Sequence, residues 1–132
     1  MLIKLRPHHL ICNLCFEGHG YNANFVKNFS QIHNILIAYP NSNIIQIVYG
    51  LDDVCQQCPK NIDSKCENEA ITVELDKSYG ILLKLPTNAF TSLCEIKNNI
   101  KEFLTINDFQ IICSKCAWKP ICEKLIPQYI LT

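Results

Sequence analysis

Apolar residues recur along this chain at two spacings, and each spacing marks an element. Between residues 22 and 39, Phe25, Val26, Phe29, Ile32, Leu36 and Ile37 repeat at the helical period, which predicts a core helix. Asn22 or Asn24 is placed to cap it and Pro40 to stop it. The run Ile44-Ile45-Gln46-Ile47-Val48-Tyr49 is short and β-branched, the mark of a strand, and Gly50 closes it. Residues 3–6 form a second extended segment, ended by Pro7, whose ring pushes the preceding residue out of the helical region. A helix-containing crossover separates the two strands, so they are expected to pair in parallel.

The remaining elements follow the same rules. Pro7 suits a first helical turn and predicts a helix over residues 7 to about 16, broken by Gly18-His19-Gly20. On it His8, Cys12 and Cys15 stand at i, i+4 and i+7, with His9 three before Cys12, so these side chains share a broad face. Ile71, Leu75 and Tyr79 predict a helix over residues 67–79, with acids in its first turn and Gly80 as its stop. Residues 81–85 read as an edge strand or an extended link before Pro86. Ser92-Leu93-Cys94-Glu95 has the form of a capping box, opening a helix with Leu93, Ile96, Ile100 and Phe103 on its stripe. Asn107 or Asp108 caps a last short helix through Phe109, Ile111 and Ile112 that ends at Cys113, and the tail from residue 124 packs back on the surface. The fold class is α+β: a mostly helical single domain over residues 1–132, with a small two- to three-stranded sheet and cysteine-rich metal-binding loops.

Composition narrows what such a domain does. An apolar share of 48% with 18% charged residues suits a well-buried globular chain. Twelve basic residues balance twelve acidic ones, so no global positive field draws the chain onto nucleic acid, and none is expected as a partner. The N-terminal apolar run is too short for a signal peptide and no eighteen-residue apolar span exists, so the expectation is a cytoplasmic protein that does not engage a membrane. Nine cysteines in a reducing compartment speak for metal rather than disulfides.

Six of those cysteines fall into two triads of one plan. Cys55-Gln56-Gln57-Cys58-Pro59 with Cys66, and Cys113-Ser114-Lys115-Cys116 with Cys122, each give a pair two residues apart, a proline-bearing stretch and a third thiol. A C-x-x-C turn aims two soft thiolates at one centre. Each triad is one ligand short of four, and Cys12, with Cys15, His8 or His9, is available to complete either site or both. Lysines 60, 65, 115, 119 and 124 border the triads and would offset the negative charge of a thiolate centre. Three cysteines plus a distant ligand are more typical of an iron–sulfur cubane than of structural zinc, which usually shows two complete pairs. The segment Cys113–Cys122 also resembles, over ten residues, the auxiliary-cluster segment of SPASM domains in radical enzymes. Other singled-out residues read blandly: His33 as a partly buried histidine with a hydrogen-bond partner, Cys94 as a small buried hydrophobe, Trp118 as an apolar lid, and Asp52-Asp53 as a turn or cap ahead of Cys55.

Four stretches together carry a wider resemblance: Leu5-Arg6-Pro7-His8-His9-Leu10-Ile11-Cys12, Gly18-His19-Gly20-Tyr21, Asp52-Asp53-Val54 leading into the first triad, and Ile112 leading into Cys113 through Trp118 and Cys122. The chain is similar nearly end to end to the small bacterial and archaeal proteins of the domain of unknown function 1284 family, which are suspected of binding an iron–sulfur cluster. The resemblance implies as ligands Cys12, Cys55, Cys58, Cys66, Cys113, Cys116 and Cys122, with His8 or His9. Cys15 and Cys94 depart from the family pattern. Eight ligands would serve two centres, and one cluster with spare thiols fits equally.

The leading expectation is a cytoplasmic iron–sulfur protein, its cluster of the 4Fe–4S kind, in electron transfer or sensing with a redox partner protein. A zinc-stabilised interaction module is the second. A thiol redox enzyme is the third, weakened because Cys12 stands more than one turn inside its helix, away from the N-terminal dipole that would activate it.

Overall fold

Two β-branched segments from opposite sides of a long helix start the architecture. In the structure, a computed structural model, residues 2–18, 20–62, 65–66, 69–114, 116 and 119–130 are described, with the side chains of Gln57, Lys65 and Cys66 outside that description. Strand β1 (Ile3–Leu5) pairs in parallel with β2 (Ile45–Ile47), Ile3 opposite Ile45 and Leu5 opposite Ile47. Between them run α1 (Pro7–Leu14) and α2 (Ala23–Ala38), the expected crossover. Asn22 caps α2 by accepting a hydrogen bond from the Phe25 amide, and Phe25, Phe29, Ile32 and Leu36 are buried. Ile37, expected on the stripe, is 56% exposed: the stripe is narrower than the run of apolar letters.

Of the two readings of residues 81–85, an edge strand or an extended link, the strand does not form, and Ile81 and Leu82 instead end a helix. The third strand, β5 (Phe90–Thr91), lies antiparallel to β2, giving the order β1-β2-β5. A two-residue hairpin, β3 (Asn61–Ile62) with β4 (Lys65–Cys66), forms a separate small sheet.

Helix α3 (Glu69–Leu82) runs through Gly80 instead of stopping there. Its true end is a Schellman turn: Lys84 takes a left-handed φ of 57° and the Leu85 amide donates back to the Gly80 carbonyl at 2.9 Å. Gly80 serves a different need, close approach, since a Cβ there would run into the Tyr49 hydroxyl. That hydroxyl donates to the Leu85 carbonyl, tying the strand end to the helix end. Ile71 is exposed, while Leu75 and Tyr79 are buried.

Helix α4 (Leu93–Phe103) is capped by Ser92, whose hydroxyl accepts from the Glu95 amide at 3.2 Å. The reciprocal half of the expected box is absent from that pair, because the Glu95 carboxylate accepts from Thr91 Oγ1 at 2.7 Å. The reciprocal box occurs at α5 (Ile106–Ile112), between Thr105 and Asp108, so Thr105 is the cap and not Asn107. Past Cys113 the chain turns into α6 (Lys119–Leu125), a helix the sequence reading missed, and a 3-10 turn packs Ile126 and Ile130 back onto the core as expected of the tail. One continuous apolar core joins the sheet to the six α-helices found among the described residues.

Cys94 is exposed, against the expectation of a buried hydrophobe: it sits at the second position of α4 on the solvent side, with Leu93 and Ile96 taking the core. Trp118 lies outside the described residues. Truncating Ile96, fully buried, to alanine should lower stability by about 2–5 kcal/mol, whereas Cys94→Ser should stay within about 0.5 kcal/mol. Urea unfolding of the two variants at equal metal content checks the contrast.

Candidate metal centre

Helix α1 begins inside the protein, where its free amides need partners. Its N-terminal residue Arg6 offers no side-chain cap, and Pro7 has no N–H to satisfy. The partners come from far along the chain. The Asp76 carboxylate on α3 accepts from the His8 amide at 3.0 Å, from His8 Nδ1 at 2.6 Å and from Arg6 Nε at 2.6 Å. The Asp52 carboxylate accepts from the Arg6 amide and from His9 Nδ1, both at 2.7 Å, and from the Cys55 amide at 3.1 Å. Arg6, Asp52 and Asp76 are at most 5% exposed.

These contacts set charge states. Burial alone would raise Asp76, but the His8 ring, Arg6 and the His8 amide outweigh it and hold the carboxyl below its ordinary range. Asp52 is likewise held low despite burial, through His9, the Arg6 amide and Cys55. His8 is pushed down to about 4, by burial first and by neighbouring His9 second, so its ring is neutral and donates Nδ1–H to Asp76. The same surroundings push the Cys55 thiol up to about 12, through burial and then the Asp52 charge.

Asp52 is therefore more than the turn or cap read from the sequence. It gathers His9, Cys55 and the start of α1, and ligand atoms of His9, Asp52 and Cys55 all lie within 4.8 Å of one another. Asp53 beside it accepts from the Lys4 amide, and its carbonyl accepts from Asn28 of α2, fixing the loop ahead of the first triad. Within that triad a 3-10 turn over Cys55–Gln57 places Cys58, whose carbonyl accepts from the Asn61 amide; Asn61 in turn pairs with Cys66 across the hairpin. The backbone thus brings Cys66 back toward the pair; its side chain lies outside the described residues.

The second triad closes on the far end of α1. Cys12 is driven well above its ordinary pKa by burial first, then by Cys116, Cys122 and Cys113, so four of the expected ligands stand as one group of mutually repelling thiols. Cys15, held back as a departure from the family pattern, belongs beside them: it is fully buried, and its hydrogen bond to Cys122 raises its own pKa and lowers that of Cys122. Tyr79, also fully buried, places its hydroxyl 2.7 Å from Cys113 Sγ. Cys113 itself is pushed up to about 12, by burial and then by Cys116 and Cys122 against the relief of that hydroxyl. None of the eight cysteines whose side chains are described is joined to another of them by a disulfide.

The two triads have different neighbours. Cys55 answers to Asp52 and Arg6, and the second triad to Cys12. His8 serves Asp76, and His9 faces the first triad. His33 makes the hydrogen bond expected of it, Nδ1 to Asn13 Oδ1 at 2.9 Å. The sequence reading missed Arg6, Asp52, Asp76 and Tyr79; one signal for the acids was available, since Arg6-Pro7-His8-His9 between apolar runs needs buried carboxylates to satisfy it.

A family model described as a protein of unknown function, DUF1284, matches residues 20–122. The chain belongs to that family. The match includes both triads and leaves out His8, His9 and Cys12, so the candidate ligands on α1 of this DUF1284 member rest on the geometry above. No curated protein and no solved structure matches the chain. No helix among the described residues is long and apolar enough to cross a membrane.

The donor set of the second group fits an iron–sulfur cluster: soft thiolates, a buried setting and a hydroxyl donor on one sulfur. A neutral buried His8 also has a pH consequence. Unfolded, this histidine takes a proton near pH 6.5; folded, it does so only near 4. Its contribution to stability is thus complete above about 6.5 and lost as pH falls toward 4, by a few kcal/mol at most. Asp76, held below its ordinary value of 3.8, adds a further loss in stronger acid. Urea unfolding at pH 7, 6 and 5 should show the decline, and His8→Gln should flatten it.

Proposed function

We propose that this chain is a cytoplasmic iron–sulfur protein, its cluster of the four-iron kind held by Cys12, Cys113, Cys116 and Cys122, serving electron transfer or sensing with a redox partner protein. The observation that carries the reading is the convergence of Cys12, from the N-terminal helix, on the three thiols of the C-terminal triad. Four thiols gathered about one point repel one another as thiolates, and a bound metal offsets that repulsion. The raised pKa values of Cys12 and Cys15 speak against the thiol-enzyme alternative built on them, since a nucleophilic cysteine needs its pKa lowered.

Spacing favours a cluster over a single ion. Zinc–sulfur bonds of 2.3 Å put tetrahedral sulfurs about 3.8 Å apart. Among the described residues, the donor trio within 4.8 Å is His9, Asp52 and Cys55 and not these thiols. A cubane interposes several irons and spreads its cysteines further.

Protein purified without oxygen should be brown and carry iron and acid-labile sulfide in equal amounts. Cys12→Ser should remove most of both, and Cys94→Ser neither. A colourless, iron-free anaerobic preparation would overturn the reading. Tyr79→Phe should keep the iron and lower the midpoint potential, because a hydrogen bond to a ligating sulfur favours the reduced, more negative cluster. One such bond, about 1 kcal/mol, corresponds to roughly 40 mV for one electron, read by redox titration.

A further inference from the structure

We propose that the chain holds a second, separate metal site: a single divalent transition ion, zinc by preference, bound by His9, Asp52 and Cys55. This goes beyond the cluster reading and does not depend on it.

Three independent observations meet there. The first is compactness. One ligand atom each from the imidazole, the carboxylate and the thiol lies within 4.8 Å of the others, the scale of one ion's coordination sphere. The donors are nitrogen, oxygen and sulfur, a borderline set that suits zinc rather than magnesium or calcium, which take oxygen alone.

The second is charge. The buried network that contains the trio has two carboxylates, Asp52 and Asp76, against the single guanidinium of Arg6. Among these groups the acids outnumber the guanidinium by one. Gathering buried carboxylates is costly, and a bound cation offsets that cost.

The third is Arg6 itself. Its Nη1 points to Cys55 Sγ at 3.9 Å, and Nη2 is buried with no hydrogen-bond partner among the described residues. A guanidinium edge turned toward a sulfur supports a thiolate, which is the form that ligates metal. Asp52 is held from behind by the Arg6 and Cys55 amides, so the carboxylate is fixed before an ion arrives. Cys58, on the other side of the 3-10 turn, is the nearest cysteine in sequence to supply a fourth donor.

The test adds zinc alone to the anaerobically prepared full chain, with iron and sulfide measured in the same sample. Competition against a chromophoric chelator should give one tight zinc per chain, and X-ray absorption at the zinc edge should show a mixed shell of nitrogen or oxygen with sulfur. His9→Gln and Cys55→Ser should each weaken zinc by more than about 100-fold, beyond the 10–100-fold that losing a merely supporting partner brings, with iron content unchanged. Cys12→Ser should lose iron and keep zinc, which separates failure of the cluster reading from failure of this one. An all-sulfur shell, zinc retained by both variants, or no tight zinc at all would overturn the proposal. The shell of the unaltered protein decides the matter even if a variant does not fold.

Discussion

A single carboxylate on α3 holds the N-terminal helix in place. Asp76 takes three hydrogen bonds, from the Arg6 guanidinium, the His8 ring and the His8 amide, and so caps, neutralises and orients the start of α1 at once. Removing one member of such a buried set leaves the others unpaired in low dielectric, where the penalty is largest. The direction of α1, and with it where His9 and Cys12 point, follows from this grip. Tyr79, nearly one turn along the same face of α3, meets Cys113, so one helix supports His8 with one residue and the second triad with the other.

The outcome is two groups of different chemistry at the two ends of an eight-residue helix. Near its start, nitrogen, oxygen and sulfur donors lie close together beside the buried Asp76–Arg6 pair. Near its end, sulfurs gather more loosely, with an apolar core around them and a tyrosine hydroxyl as their polar neighbour. The two cysteine triads look like copies in sequence, yet their surroundings differ because α1 presents histidine to one and cysteine to the other.

Much of the fold was legible because it depends on local pattern. The parallel β1–β2 pair, the long α2 and its Asn22 cap, and the stripe of α4 follow from β-branched runs and helical spacing. What failed did so for tertiary reasons. Gly80 looked like a helix stop, yet it lies in the helix to let Tyr49 approach, and a left-handed Lys84 ends α3. Cys94 looked apolar enough to bury, but the helix turned it to solvent. The candidate site was legible in its cysteines and opaque in its supports: Asp76 reads like any acid on an amphipathic helix until Arg6, seventy residues earlier, is seen against it. Cys15 shows a limit of another kind, since a family pattern says nothing of what a chain adds beside it.

The thiols that gather at the end of α1 are separated by nearly the whole polypeptide, from residue 12 to residue 122. During synthesis the first emerges from the ribosome long before the last has been made, and no nascent chain that stops short of residue 122 contains the full set. Any cofactor that needs all four must wait until residue 122 has been made, and it then enters a chain already folding around the gap.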